Sequence, residues 1–181
     1  MKILLTLLTS LLFILNLNGQ DKTKDDVFEF TIDSSAVNTL NSTLKNLYAV
    51  ISGEKGEKRN WKQFKYLFKP DAKLIPSGKN KANLYQVRYM SPEDYINNSG
   101  TWLEENGFFE KEISRRVNTF GPIAQVFSTY ESYYSEKDTK PFMRGINSIQ
   151  LLNDGKRWWV INIYWAQETE NNPIPKAYLP D

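Results

Sequence analysis

The chain has 181 residues and contains neither cysteine nor histidine. Without cysteine there is no disulfide, no thiol nucleophile and no lipid attached at a cleavage-site cysteine. Without histidine there is no Ser-His-Asp or Cys-His machinery and no His-ligated zinc or iron. Acid–base chemistry then falls to Asp, Glu, Lys or Tyr, and no metal or cofactor is expected. Neither sign of charge dominates. The 23 basic and 21 acidic side chains leave a net charge of +2, which gives no reason to expect nucleic acid. A chain without cross-links depends on its core. With 40% hydrophobic and 14% aromatic residues it has the material for one domain.

Long hydrophobic runs are scarce too, with one exception. Met1 and Lys2 are followed by "ILLTLLTSLLFILNL". One basic residue and then roughly 15 mostly apolar ones match the apolar region of a secretory signal and are short for a membrane span. Residues 1–19 are therefore expected to be a signal peptide, cleaved between about Leu17 and Asp21. An uncleaved anchor is the alternative, because Leu17 departs from the small residue preferred near the cut. The expected location is secreted or periplasmic, with no membrane attachment after cleavage. Residues 20–35 are polar and read as a flexible lead-in.

Charge is unevenly placed. Residues 53–90 carry ten Lys/Arg and three Asp/Glu, whereas residues 91–112 carry one Lys and six acids. Such blocks read either as an anion-binding face or, more plainly, as solvated helix and loop surface.

Val37, Leu40, Leu44, Leu47, Tyr48 and Ile51 fall at helical spacing, so one helix of about four turns is expected, capped by Ser34 or Ser35. Asn60 can cap a second helix bearing Trp61, Phe64, Leu67 and Phe68, ended by Pro70. "AKLIPS" reads as a short strand. "SPEDY" opens a third helix, with Ser91 as cap, Pro92 in the first turn and Asp94 in the capping-box position. Residues 97–100 weaken its middle, and Gly107 closes it. Residues 108–120, 122–134, 142–152 and 157–167 read as strands, with turns at Gly121-Pro122 and Asp154-Gly155. Helices followed by long strands imply an α+β domain.

"LYAVISG" in the first helix, "FKPDAKLIPSG" after the second, "GPIAQVFSTYES" and the last hairpin "RGINSIQLLNDGKRWWVINIYW" together resemble the NTF2-like superfamily, which includes SnoaL-like domains and ketosteroid isomerase. The resemblance covers residues 36–168 and leaves 169–181 as a C-terminal tail. It implies a cone of three N-terminal helices packed on a curved antiparallel sheet, with a pocket between them. It also implies that Tyr48 stands where the isomerase has its oxyanion tyrosine and Asn147 where it has an acid on a late strand. The isomerase base, an aspartate before a proline, is replaced by Ile75 before Pro76. The fold hosts enzymes, binding modules and adaptors, so it does not assign an activity.

Facing was read from the last hairpin. A three-residue loop, Asn153-Asp154-Gly155, would place Leu152 opposite Lys156. Asn147, Ile149 and Leu151 would then share the inner face with Trp159, Ile161 and Ile163, leaving Trp158 and Tyr164 outside. Register is sensitive to a one-residue slip. The expected ligand-binding residues are Tyr48, Phe64, Ile75, Trp102, Asn147, Trp159 and Ile163; no catalytic residue is assigned. Glu110, Glu112 and Arg116 read as mainly surface, because strict alternation sets them opposite Ile113 and Val117. Asp71 reads as a solvated or capping residue. The expected function is binding of a small, mostly apolar ligand or a protein partner. The alternative is an isomerase, dehydratase or hydrolase using a pocket carboxylate. A homodimer is expected from the resemblance, through an aromatic outer face.

Overall fold

The computed structural model describes residues 29–180, so the expected signal peptide and the start of the lead-in lie outside the described residues. From residue 29 onward the lead-in is tied down. The amide of Asp33 donates to Gln63 Oε1 at 2.8 Å, and Asn60 Nδ2 donates to the carbonyl of Thr31 at 2.8 Å.

The first apolar stripe is split. Ser34–Val37 forms a 3-10 turn capped by Asp33, and helix α1 runs Leu40–Ala49. Its cap is Thr39 rather than Ser34 or Ser35. Thr39 Oγ1 accepts from the Ser42 amide, and Ser42 Oγ accepts from the Thr39 amide, so two orphan donors are satisfied reciprocally. Helix α2, Trp61–Tyr66, is short and ends ahead of Phe68, which starts strand β1, Phe68–Lys79. Pro70 therefore lies in the strand. It is tolerated because the ladder is irregular between Phe68 and Lys73 and needs no amide there. A strand β2, Tyr85–Val87, folds back on the end of β1. Helix α3, Pro92–Asn106, has the expected Ser91–Asp94 capping box and is unbroken through residues 97–100. Gly107 closes it with φ 75°, and a Cβ there would lie 2.4 Å from the Tyr134 carbonyl oxygen.

Strands β3 Phe109–Phe120, β4 Ile123–Tyr133, β5 Met143–Asn153 and β6 Trp158–Gln167 complete a curved sheet ordered β2-β1-β6-β5-β4-β3. It is mixed rather than antiparallel, because β1 pairs with β6 in parallel. A parallel pair needs a long connection, which α3 and the four intervening strands supply. Leu44, Leu47, Phe64, Leu67 and Leu103 from the helical side pack against Val126, Ile149, Leu151, Val160 and Ile163 of the sheet.

The uneven charge is partly used between α2 and α3. Lys58 pairs with Glu104 at 2.8 Å and Lys65 with Glu93 at 3.1 Å. Arg59 is buried and serves the loop between α1 and α2. Its guanidinium donates to the carbonyls of Ile51, Gly53, Glu57 and Leu103, joining that loop to α3.

The tail returns over the outer sheet face. Thr129 Oγ1 donates to the Tyr178 carbonyl at 2.6 Å, the Tyr178 ring lies 5.0 Å from that of Phe127, and Ile174 is buried.

Candidate functional site

Two bulges decide which side chains reach the interior. The β5–β6 loop is longer than expected: Asn153 pairs with Trp158 and Leu152 with Trp159. That inverts the expected facing next to the turn. Val160 pairs with Leu151 on the inner side, and Trp158 packs on the core, while Trp159 turns outward. The register then shifts between Gln150 and Leu151, with Ile161 as the extra residue. Beyond it the expected facing holds, and Ile149 pairs with Ile163 and Asn147 with Trp165. Trp159 is accordingly no cavity residue. Its Nε1 donates to Asp154 at 2.6 Å, and Lys69 Nζ and the Arg157 guanidinium lie 4.3 Å and 3.6 Å from its ring centroid. Those contacts fix the hairpin loop and, with the amides of Lys156 and Arg157, hold the Asp154 carboxyl down at about 2.

In β3 the register shifts between Glu112 and Ser114, leaving Ile113 as the extra residue. Val117 pairs with the buried Val126, so alternation counted back from it would put Glu112 and Glu110 outside. The bulge reverses that parity. Glu110 pairs with Ser132 and Glu112 with Tyr130, both on the inner face. The surface reading of these two acids is thereby corrected. Arg116, opposite Phe127, stays exposed and donates to the Ala177 carbonyl at 2.9 Å.

A cavity of about 220 Å³ lies between the helices and the inner sheet face. Of the expected site residues, Tyr48, Phe64, Trp102, Asn147 and Ile163 line it. Ile75 does not. Leu74 is the buried cavity neighbour, and Ile75, one residue on, faces the other side of β1 opposite Tyr164. Residues missed in the sequence complete the wall: Glu110, Tyr95, Tyr130 and Trp165. The polar run Ser128, Tyr130, Ser132 at alternate positions of a strand was the signal for Glu110, since three buried polar groups on one face need partners. Asp71 lies exposed, as expected.

The polar end of the cavity is a hydrogen-bonded chain. Ser128 Oγ donates to Glu112 Oε1 at 2.5 Å. Its one proton is thus used, so Tyr48 Oη donates to Ser128 Oγ at 2.7 Å. Asn147 Nδ2 donates to Tyr48 Oη and to Glu110 Oε1, each at 3.2 Å. Ser132 Oγ reaches Glu110 Oε2 at a long 3.4 Å. Glu112 is further paired with Arg115. The donors of Tyr48 and Asn147 are therefore consumed inside the protein.

Glu110 differs from Glu112 in having no cation. None of the cavity-lining residues is basic, and among the described residues Glu110 forms no ion pair. Burial penalises its charge more than the bonds from Asn147 and Ser132 favour it, and the carboxyl is pushed up to about 7. Burial, with the charge of Glu110 second, also raises the hydroxyls of Tyr48, Tyr95 and Tyr130, which stay neutral. The site can hold a small apolar body against aromatic walls. It presents a carboxyl group that exchanges its proton near neutrality.

No family model matches the chain, and no curated protein matches it in sequence. Solved structures do match in shape. An NTF2-like protein of unknown function from Pseudomonas putida KT2440 superposes with a TM-score of 0.54 at 10% identity, covering 83% of this chain and all of its own. One from Silicibacter pomeroyi DSS-3 gives 0.50 at 13% identity over 71% and 92%. A protein of unknown function with a cystatin-like fold, from Nostoc punctiforme PCC 73102, gives 0.55 at 8% identity over 78% and 97%. The chain has an NTF2-like fold.

Proposed function

We propose that this protein binds a small, mostly apolar molecule in the cone, with the ligand's polar end set against Glu110. The observation that carries the reading is a cavity of about 220 Å³ with mainly aromatic and aliphatic walls and one carboxyl without a cation. A dry cavity of about 150 Å³ takes up benzene. The present one suits one ring with a short substituent and is too small for four fused rings. Titration with toluene, followed through the indole N–H resonances, tests this. Those of Trp102 and Trp165 should shift, while those of Trp61 and Trp159 should hold still. Equal shifts at all four, or none, would defeat the reading.

A second reading is favoured by the position of Glu110 in the cavity, with a carboxyl that titrates near 7: proton transfer on the bound molecule, as in an isomerase or dehydratase. Positioned acid–base groups contribute typically about 10²–10⁴-fold. A β,γ-unsaturated cyclohexenone is small enough to serve as substrate. Wild type should isomerise it with a pH midpoint near 7, and Glu110→Gln should not. Equal rates would remove this reading and leave binding in place. Export remains part of the proposal on the composition of residues 1–19, checked by the intact mass of the native product. Homodimerisation is proposed through the outer sheet face beside the tail.

A further inference from the structure

The acceptors around Glu110 point to the charge of the ligand. Its carboxylate faces a cavity with no Lys or Arg in the wall. Asn147 is turned toward it but spends both amide protons on Tyr48 and Glu110. Tyr95 and Tyr130 line the same cavity, and among the described residues neither hydroxyl has a hydrogen-bond partner, so each keeps its lone pairs as well as its proton. Three groups with free lone pairs thus line one cavity. The remaining walls include the rings of Phe64, Trp102, Phe108 and Trp165, whose faces carry partial negative charge.

A carboxylate beside aromatic faces attracts an organic cation and repels an anion. A primary ammonium group has N–H donors and no acceptor, so it matches a carboxylate that has no cation. Resting on the binding reading above, we infer that the ligand is a small primary amine, bound as its ammonium ion, with the nitrogen at Glu110 and a single apolar ring or chain along the aromatic wall. Binding neutralises a buried charge, so it forces Glu110 to ionise and releases its proton when the pH is below the midpoint.

The test is calorimetry at pH 8 with phenethylamine, benzylamine, 2-phenylethanol and phenylacetate. Each probe is one phenyl ring on a short arm, and the end groups are cationic, neutral or anionic. The amines should bind at least tenfold more tightly than the alcohol, and phenylacetate not at all. In Glu110→Gln, which keeps an acceptor for Asn147, the preference for amine over alcohol should vanish. A readout independent of any variant is proton release. At pH 6.5, in two buffers of different ionisation enthalpy, amine binding by the wild type should release a fraction of a proton. The inference is overturned if the alcohol or the anion binds as tightly as the amines. It is equally overturned if neither amine binds at millimolar concentration, or if Glu110→Gln keeps the preference. Alcohol binding without amine preference would sink the inference alone. The toluene titration decides separately whether the cavity binds anything.

Discussion

In the unfolded chain Glu110 titrates near 4.5, and in the folded protein near 7. A folded pKa above the unfolded one means that the native state holds the proton more tightly. The associated stability is present below about pH 4.5 and is lost as the pH rises through 7. The loss is on the order of 3 kcal/mol. Denaturant titrations should therefore show wild type weakening between pH 5 and 8 relative to Glu110→Gln, which lacks that slope. Parallel pH curves for the two proteins would contradict the buried position of the acid. Tyr48 tests the same network from the other end. Tyr48→Phe leaves Ser128 bonded to Glu112 but strips one acceptor from Asn147, at a cost of about 1–2 kcal/mol. A neutral substitution would mean that water fills the gap.

At the scale of elements, the close approach of β4, β5 and β6 depends on Gly145. A Cβ there would lie 2.5 Å from the Ala166 carbonyl oxygen and 2.5 Å from Tyr130 Oη. Because one of these atoms is backbone, Gly145→Ala should cost about 1–3 kcal/mol and shift Tyr130 in the cavity, visible as altered tyrosine fluorescence and a lowered Tm. The facing of β1 gives a paired test. Leu74→Asp buries a charge and should unfold the domain or nearly so, whereas Ile75→Asp should fold and acquire no isomerase activity, since it faces away from the cavity. Equal tolerance of both would reverse the facing. Strands β3 to β6 were legible in their ends to within about one residue, because alternating β-branched and aromatic residues run between clear turn signals, whereas β1, expected only over residues 72–77, spans Phe68–Lys79. What the pattern could not show was the pair of bulges. One extra residue at Ile113 carries Glu110 and Glu112 inward, and another at Ile161 carries Trp159 out. Strict alternation has no means of seeing an inserted residue whose own side chain is apolar. The three-residue β2 and the parallel seam were equally hidden, since both depend on partners far along the chain. Tyr48 and Asn147 were found because each is a polar residue on an otherwise apolar face.

At the scale of the whole molecule, the returning tail limits how copies can meet. It occupies the outer face over Phe127, leaving Tyr164 exposed beside Ile75. A dimer through that strip should dissociate when Tyr164 becomes Glu, seen as a halved mass in sedimentation. Monomer mass for the wild type would dispose of the dimer. The parallel seam has a different consequence, one of timing. β6 lies between β1 and β5, so β1 has no main-sheet partner until the last strand is present. Contacts of such long sequence separation form slowly, because the loop must close before it is rewarded. A ribosome-tethered chain lacking β6 has the helices and the meander but leaves β1 unpaired with the rest of the sheet. For a polypeptide threaded through a membrane channel in extended form, that delay is useful. Under the proposed export, nearly all of the chain would have passed the channel before its last strand locks the cone.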